Sequence, residues 1–283
     1  PTMVLLTGFP DTVESWDRLL PYFESTHRIV AMHLPDFEKS ELSLGRRWGY
    51  SMDEIVEAIG EVVSSECSGG EIHLVGHDWG SFFCQRYAHK YPEKISKLVL
   101  LDVGSLGEEG TPAWMSILTL AYMAIFALSF VVSRLVSNWL AIFLLRCYPW
   151  KMIGPLPYET EMPSVKTFCV PREIFMTYPY FRLFYDGMRN PTLLQPLPFA
   201  IKGSNHSEND NGTTKAPGIP QLFLFGAKKR VFYHSNAYLD FLDQQGTVDD
   251  CSGYVEFKKD GHWLHWTNPD GVAAEMKKFL GSK

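Results

Sequence analysis

The residues at 72–81 read Ile-His-Leu-Val-Gly-His-Asp-Trp-Gly-Ser, a short apolar run that ends in Gly76-His77-Asp78-Trp79-Gly80 and passes into a helical pattern. Glycines two positions before and two after Asp78 let the backbone turn sharply from strand to helix and lift one side chain clear of the sheet. That side chain is a carboxylate. It can attack carbon without first losing a proton, and the product is an ester that water must later hydrolyse. The competing reading is an ordinary Asp that caps the following helix.

An ester intermediate needs a base to activate water. A histidine stands just after the last strand candidate, in Asp260-Gly261-His262-Trp263, with His265 three residues on as its competitor. A near-neutral imidazole suits the task.

Both groups require a scaffold that brings strand ends together. Six short apolar runs, at residues 3–6, 29–32, 72–75, 98–101, 222–225 and 254–257, alternate with amphipathic segments, the pattern of parallel βαβ units. One helix is expected from Ser51, with Glu54 three residues on as a capping box and Met52, Ile55, Val56, Ile59, Val62 and Val63 on one face. The alternation breaks after Asp102 and resumes near Pro220. The expectation is therefore an α/β core from residues 1–104 and 216–283, carrying a helical insertion at 105–215.

On these residues the chain resembles the epoxide hydrolase and haloalkane dehalogenase branch of the α/β-hydrolase family. The resemblance implies an α/β-hydrolase fold, a mostly parallel sheet flanked by helices with an inserted helical cap. It makes Asp78 the nucleophile of the elbow and His262, in Gly261-His262-Trp263, the general base. It aligns Leu5-Leu6-Thr7-Gly8-Phe9-Pro10 with the loop usually written H-G-x-P, so that the backbone N–H groups of Phe9 and Trp79 form the oxyanion hole. Thr7 stands where that loop usually has His. Most relatives place the acid that orients the base after the fifth strand, but residues 226–231 here read Gly-Ala-Lys-Lys-Arg-Val. Some dehalogenase-type relatives take the acid from the strand after the nucleophile helix, and Asp102, 24 positions beyond Asp78, falls there. An Asp at this strand end also occurs in relatives of other chemistry.

The same resemblance implies two cap tyrosines that protonate the opening ring oxygen. Tyr122 and Tyr185 are the expected pair, with Tyr180 as a substitute. The expected activity is hydrolysis of an epoxide on a small apolar substrate to a diol, without metal or cofactor. A haloalkane dehalogenase is the alternative; Trp79 could hold halide, whereas Phe9 occupies the position where many of those enzymes carry Asn. From another class comes a membrane-surface protein that keeps the fold and has lost turnover, motivated by the apolar insertion, Thr7 and the Lys228-Lys229-Arg230 triplet. That triplet is expected to face solvent, or to attract an anionic substrate tail.

Composition narrows the partners. A formal charge of −6 with no basic run argues against nucleic acid. Residues 110–133 and 135–145 contain no charge, which suits an apolar cap and leaves contact with a membrane surface open. Cys67, Cys84, Cys147, Cys169 and Cys251 read as core thiols in a reducing compartment, so an intracellular location, cytoplasmic or peripherally membrane-associated, is expected. Residues 202–215 read as a polar surface loop holding two glycosylation-type triplets, at Asn205 and Asn211. The chain opens on Pro1-Thr2 and runs straight into a strand, so further chain upstream is expected. The sequence fixes no oligomeric state.

Overall fold

The computed structural model describes residues 1–37, 46–67, 70–105, 113–147, 174–202, 218–229, 231–249 and 251–281. In chain order the main elements are β1 (Thr2–Leu6), β2 (Arg28–Met32), α1 (Met52–Glu66), β3 (Ile72–His77), α2 (Trp79–Lys90), β4 (Ile95–Leu101), α3 (Ala113–Leu135), α4 (Asn138–Cys147), α5 (Tyr178–Arg189), β5 (Gln221–Gly226), α6 (Asn236–Asp249), β6 (Gly253–Phe257), the single turn α7 (Leu264–Thr267) and α8 (Pro269–Gly281). All six expected strands are present. They form one parallel sheet in the order β2-β1-β3-β4-β5-β6.

Alternate residues of each strand feed two cores, as the two-residue period of a pleated strand requires. Val4, Leu6, Leu74, Leu100 and Phe223 face α1, α2 and α6, while Met3, Leu5, Val75, Val99, Leu101 and Leu224 face α8 and the turns after β1, with Trp16 and Phe23 among them. Burial on both faces explains why the strands read as continuous apolar runs rather than as alternating ones.

Helix α1 begins where its capping box sets it. The Ser51 hydroxyl accepts from the Glu54 N–H at 3.2 Å, and the Glu54 carboxylate accepts from the Ser51 N–H at 2.9 Å. Of its predicted apolar face, Met52, Ile55, Val56, Ile59 and Val63 are buried and Val62 only partly.

Between β4 and β5 the described chain is helical. Helix α3 packs on α4 and α5, and α5 is tied to the sheet domain: Asp186 accepts from the Met52 N–H at 3.1 Å, and the Tyr178 hydroxyl donates to the Pro35 carbonyl at 3.0 Å. The expected boundary at 104/105 falls just before residues 106–112, and the one at 215/216 lies outside the described residues, as do both glycosylation-type triplets and Cys169.

Candidate active site

Asp78 sits between the end of β3 and the start of α2 with φ 54° and ψ −124°, a conformation uncommon for a residue with a Cβ and typical of strained functional turns. The flanking glycines make the turn fit. A Cβ at Gly76 would lie 2.6 Å from the Ser81 nitrogen, and one at Gly80 would run into the carbonyls of Leu6 and Thr7. Ser81 then locks the turn: its hydroxyl donates to the Gly76 carbonyl at 2.7 Å and accepts from the Leu101 N–H at 3.2 Å.

The loop after β1 lies against this elbow. The Phe9 N–H donates to Asp78 Oδ1 at 2.7 Å. Trp79 is the first residue of α2, so its N–H is among those with no partner inside the helix. Thr7 is fully buried and its hydroxyl has no hydrogen-bond partner, yet the loop is held by Thr7 N–H to Met32 O at 3.1 Å and Asp11 N–H to Gly8 O at 2.8 Å.

His262 follows β6 and reaches both carboxylates. Its Nδ1 is 2.5 Å from Asp102 Oδ2 and its Nε2 is 3.5 Å from Asp78 Oδ2. Burial works against a charged imidazole, but Asp102 and then Asp78 outweigh it and raise His262 to a pKa of about 10. Asp102 directly follows β4, is fully buried at φ 65°, and also accepts from the Gly226 N–H at 3.3 Å. Burial pushes its carboxyl upward, and the opposing charges of Lys229 and His262 hold it well below the usual range.

Lys229 corrects the expectation of a solvent-facing triplet. Its side chain is only 10% exposed and its ammonium lies 2.5 Å from Asp102 Oδ1. The loop that in most relatives supplies an acid here supplies a cation to an acid on β4, which is the physical reason it turns inward. Arg230 lies outside the described residues.

Of the expected tyrosines the structure brings Tyr122 and Tyr180 over the elbow and leaves Tyr185 away from it. Tyr180 meets Trp79 edge-on at 4.9 Å and Phe9 at 5.6 Å, and Tyr122 lies 6.3 Å from Tyr180. Burial first, and the Asp78 carboxylate in addition, push both hydroxyls well above their ordinary pKa. Tyr185 instead accepts from Arg189 at 2.8 Å and stacks on Phe181. A third ring, Tyr233, was not singled out from the sequence. It lies 6.1 Å from Tyr122 and 6.2 Å from His262, and burial again raises its hydroxyl. Nothing in its local sequence marks it; only the pairing of Val103 with Tyr233 brings it there.

A buried knot holds the three loops together. Asp11, from the loop after β1, accepts from Trp263 Nε1 at 3.0 Å and lies 3.2 Å from His77 Nδ1. His77 Nε2 donates to the His262 carbonyl at 3.0 Å. The loop after β1, the turn after β3 and the loop after β6 are thus joined beneath Asp78 and His262. Among the described residues Asp11, His77 and His265 are the group whose donor atoms lie close enough to suit a metal ion, within 4.8 Å of one another. Two of the three already serve as hydrogen-bond partners of Trp263 and His262, and the Trp16 ring packs on His265 at 4.8 Å. Burial, then the neighbouring His77 and His262, drive the pKa of His265 far down. It sits under the site and away from Asp78.

A family model described as alpha/beta hydrolase fold matches residues 1–138. Human epoxide hydrolase 4 is 32% identical over 102 residues, 36% of this chain and 28% of that protein. Epoxide hydrolase 1 of Caenorhabditis elegans is 27% identical over 285 residues, covering 99% of this chain and 65% of its own length. The chain therefore spans less than two thirds of either relative. Among solved structures, a haloalkane dehalogenase loop variant from Bradyrhizobium elkanii superposes with a TM-score of 0.63 at 13% identity, over 99% of this chain and 89% of that one, a likeness of fold.

Proposed function

We propose that this chain, with its α/β-hydrolase fold and its relatives among epoxide hydrolases, is a hydrolase that opens an epoxide on an apolar substrate through an ester on Asp78. The observation that carries the reading is the Phe9 N–H on Asp78 Oδ1 at 2.7 Å: the carboxylate itself occupies the oxyanion position. In the first step an Asp78 oxygen bonds to a ring carbon, the ring C–O bond breaks, and Tyr122 or Tyr180 gives its proton to the leaving oxygen. The raised pKa of both hydroxyls keeps that proton in place until the ring opens.

In the second step His262 Nε2 takes a proton from water, the hydroxide attacks the ester carbonyl, and the N–H groups of Phe9 and Trp79 hold the oxyanion. The acyl C–O bond then breaks, protonated His262 gives its proton to the departing alkoxide, the Asp78 acid returns its proton to the tyrosinate, and the diol leaves with an oxygen that came from Asp78. His262 must be neutral to act. Its high pKa rests partly on the Asp78 charge, and ester formation removes that charge just before the base is needed.

A single turnover in heavy-oxygen water is expected to label the Asp78 side chain and not the diol. Label in the diol with none on the peptide carrying Asp78 removes the covalent route.

Halide release is less well supported. The Trp79 side chain donates toward the Tyr180 hydroxyl, and Phe9 brings a ring where a second halide donor would stand. The reading as an inactive relative loses one of its motives, because Lys229 pairs with Asp102. Free Cys67 and Cys84 support an intracellular setting. The helical insertion acts as the cap, and no resident metal or cofactor enters the steps.

Tyr122→Phe and Tyr180→Phe each slow ester formation by about 10–10²-fold, and the double variant by about 10²–10⁴-fold, with ester hydrolysis unchanged. Single-turnover kinetics read this directly; Tyr185→Phe stays within about twofold of wild type, and a Tyr185 effect as large as that of Tyr180 contradicts the assignment.

Lys229→Gln removes the cation beside Asp102, strengthens the pull of that carboxylate on the His262 proton, and so raises the His262 pKa. Because the base works only when neutral, the acid limb of the kcat–pH profile moves to higher pH, by about one unit. An unmoved limb, or one displaced to lower pH, rejects the coupling.

A further inference from the structure

Among the described residues the outer side of α3 and α4 is mostly apolar, with Ser116 as an exposed polar exception, and the geometry points to a docking surface for an anionic phospholipid bilayer. On α3 the solvent-facing positions run Trp114, Ile117, Leu128 and Leu135 at helical spacing, with Ala121 and Ala124 between them; Ile117 is 67% exposed and Leu135 62%. Across the turn, Trp139 at 75% and Phe143 at 50% continue the face with stacked rings. A helix that ends its outward exposure in water carries charge there, whereas residues 110–133 have none.

The seat lies in the membrane plane and does not cross it. Residues 116–135 are long and apolar enough to span a bilayer, but Tyr122, Phe126 and Phe130 on the inner side of the same helix are buried in the protein core. Withdrawing α3 into lipid would strip that core, so only the outer stripe is available to the acyl boundary.

Charge selects the occupant. Helices α3 and α4 hold no Asp or Glu, and their charged residues are Arg134 and Arg146, in a chain of net charge −6. At the end of α3, exposed Arg47 donates to the Arg134 carbonyl at 3.2 Å, which sets one guanidinium beside the apolar stripe, while the Arg134 guanidinium turns inward over Phe175 at 3.9 Å. A second copy laid on the same face offers no carboxylate from α3 or α4 to answer Arg47. Anionic headgroups do, and the tryptophans suit the boundary between headgroups and chains.

The experiment is co-sedimentation of the full chain with phosphatidylcholine vesicles with and without phosphatidylserine. Wild type is expected to pellet with the phosphatidylserine vesicles and less as salt rises, and Ile117→Glu with Leu128→Glu to lower that partition by at least about tenfold. Trp139→Ser provides a second, single-site variant should the double one lose its circular dichroism. No pelleting with either vesicle, or equal partition of the variants and wild type, overturns the proposal. Lipid-independent dimerisation that the same substitutions abolish overturns it in favour of a second copy, and equal binding to both vesicles overturns the role given to Arg47. Because the readout is binding, it stands or falls separately from the epoxide reading.

Discussion

With His262 replaced by Gln, the protein no longer turns over epoxide but accumulates a covalent adduct on the peptide that carries Asp78. The first step asks nothing of His262 as a base, since Asp78 is already an anion and the tyrosines carry the proton to be given. Gln fills much the same space and keeps a polar contact with Asp102, which His262 now holds at 2.5 Å. It cannot take a proton from water, so ester hydrolysis slows by about 10²–10⁴-fold. Intact-mass spectrometry on a panel of epoxides should then show one added substrate mass, and peptide mapping should put it between Ile72 and Lys90. A wild type that hydrolyses an epoxide which leaves no adduct on the variant sinks the two-step scheme.

The second large effect belongs to Asp102. An Asn there can donate to His262 Nδ1 and so favours the tautomer whose Nε2 carries the hydrogen, the wrong one for accepting a proton from water; kcat is expected to fall by about 10⁴-fold. The same change takes the carboxylate charge away from the largely buried Lys229 ammonium, which lowers folding stability as well. The two losses separate in a double variant. Lys229→Met in the Asp102→Asn background should restore much of the stability, read by denaturant unfolding, and none of the rate. Activity within about tenfold of wild type in Asp102→Asn would move the acid's role to another residue.

What could be read beforehand follows from where information sits in a chain. Strands buried on both faces appear as apolar runs, so the sheet was legible from local composition, and the elbow announces itself by two glycines at fixed offsets. Asp102 was found by spacing and likeness, but its pairing with Lys229 joins residues 127 positions apart and leaves no local mark. The tyrosines show the limit most clearly. Tyr180 and Tyr185 lie on one helix five residues apart, which turns them about 140° from each other, so both cannot face the elbow. Periodicity could not say which does; the packing of α5 on α3, with Tyr180 against Phe126 and Tyr122, decides for Tyr180. Asp11, His77 and Trp263 come from three distant segments, and their knot exists only once the sheet has aligned the strand ends.

Asp186 has a further consequence. Its carboxylate caps the opening N–H of α1 at Met52 while pairing with Arg182 one turn back on α5 at 3.0 Å. An outward swing of α5 to admit substrate would break this latch and leave the first turn of α1 short of an acceptor. Any such swing would therefore register far from Asp78, as faster amide exchange at Met52.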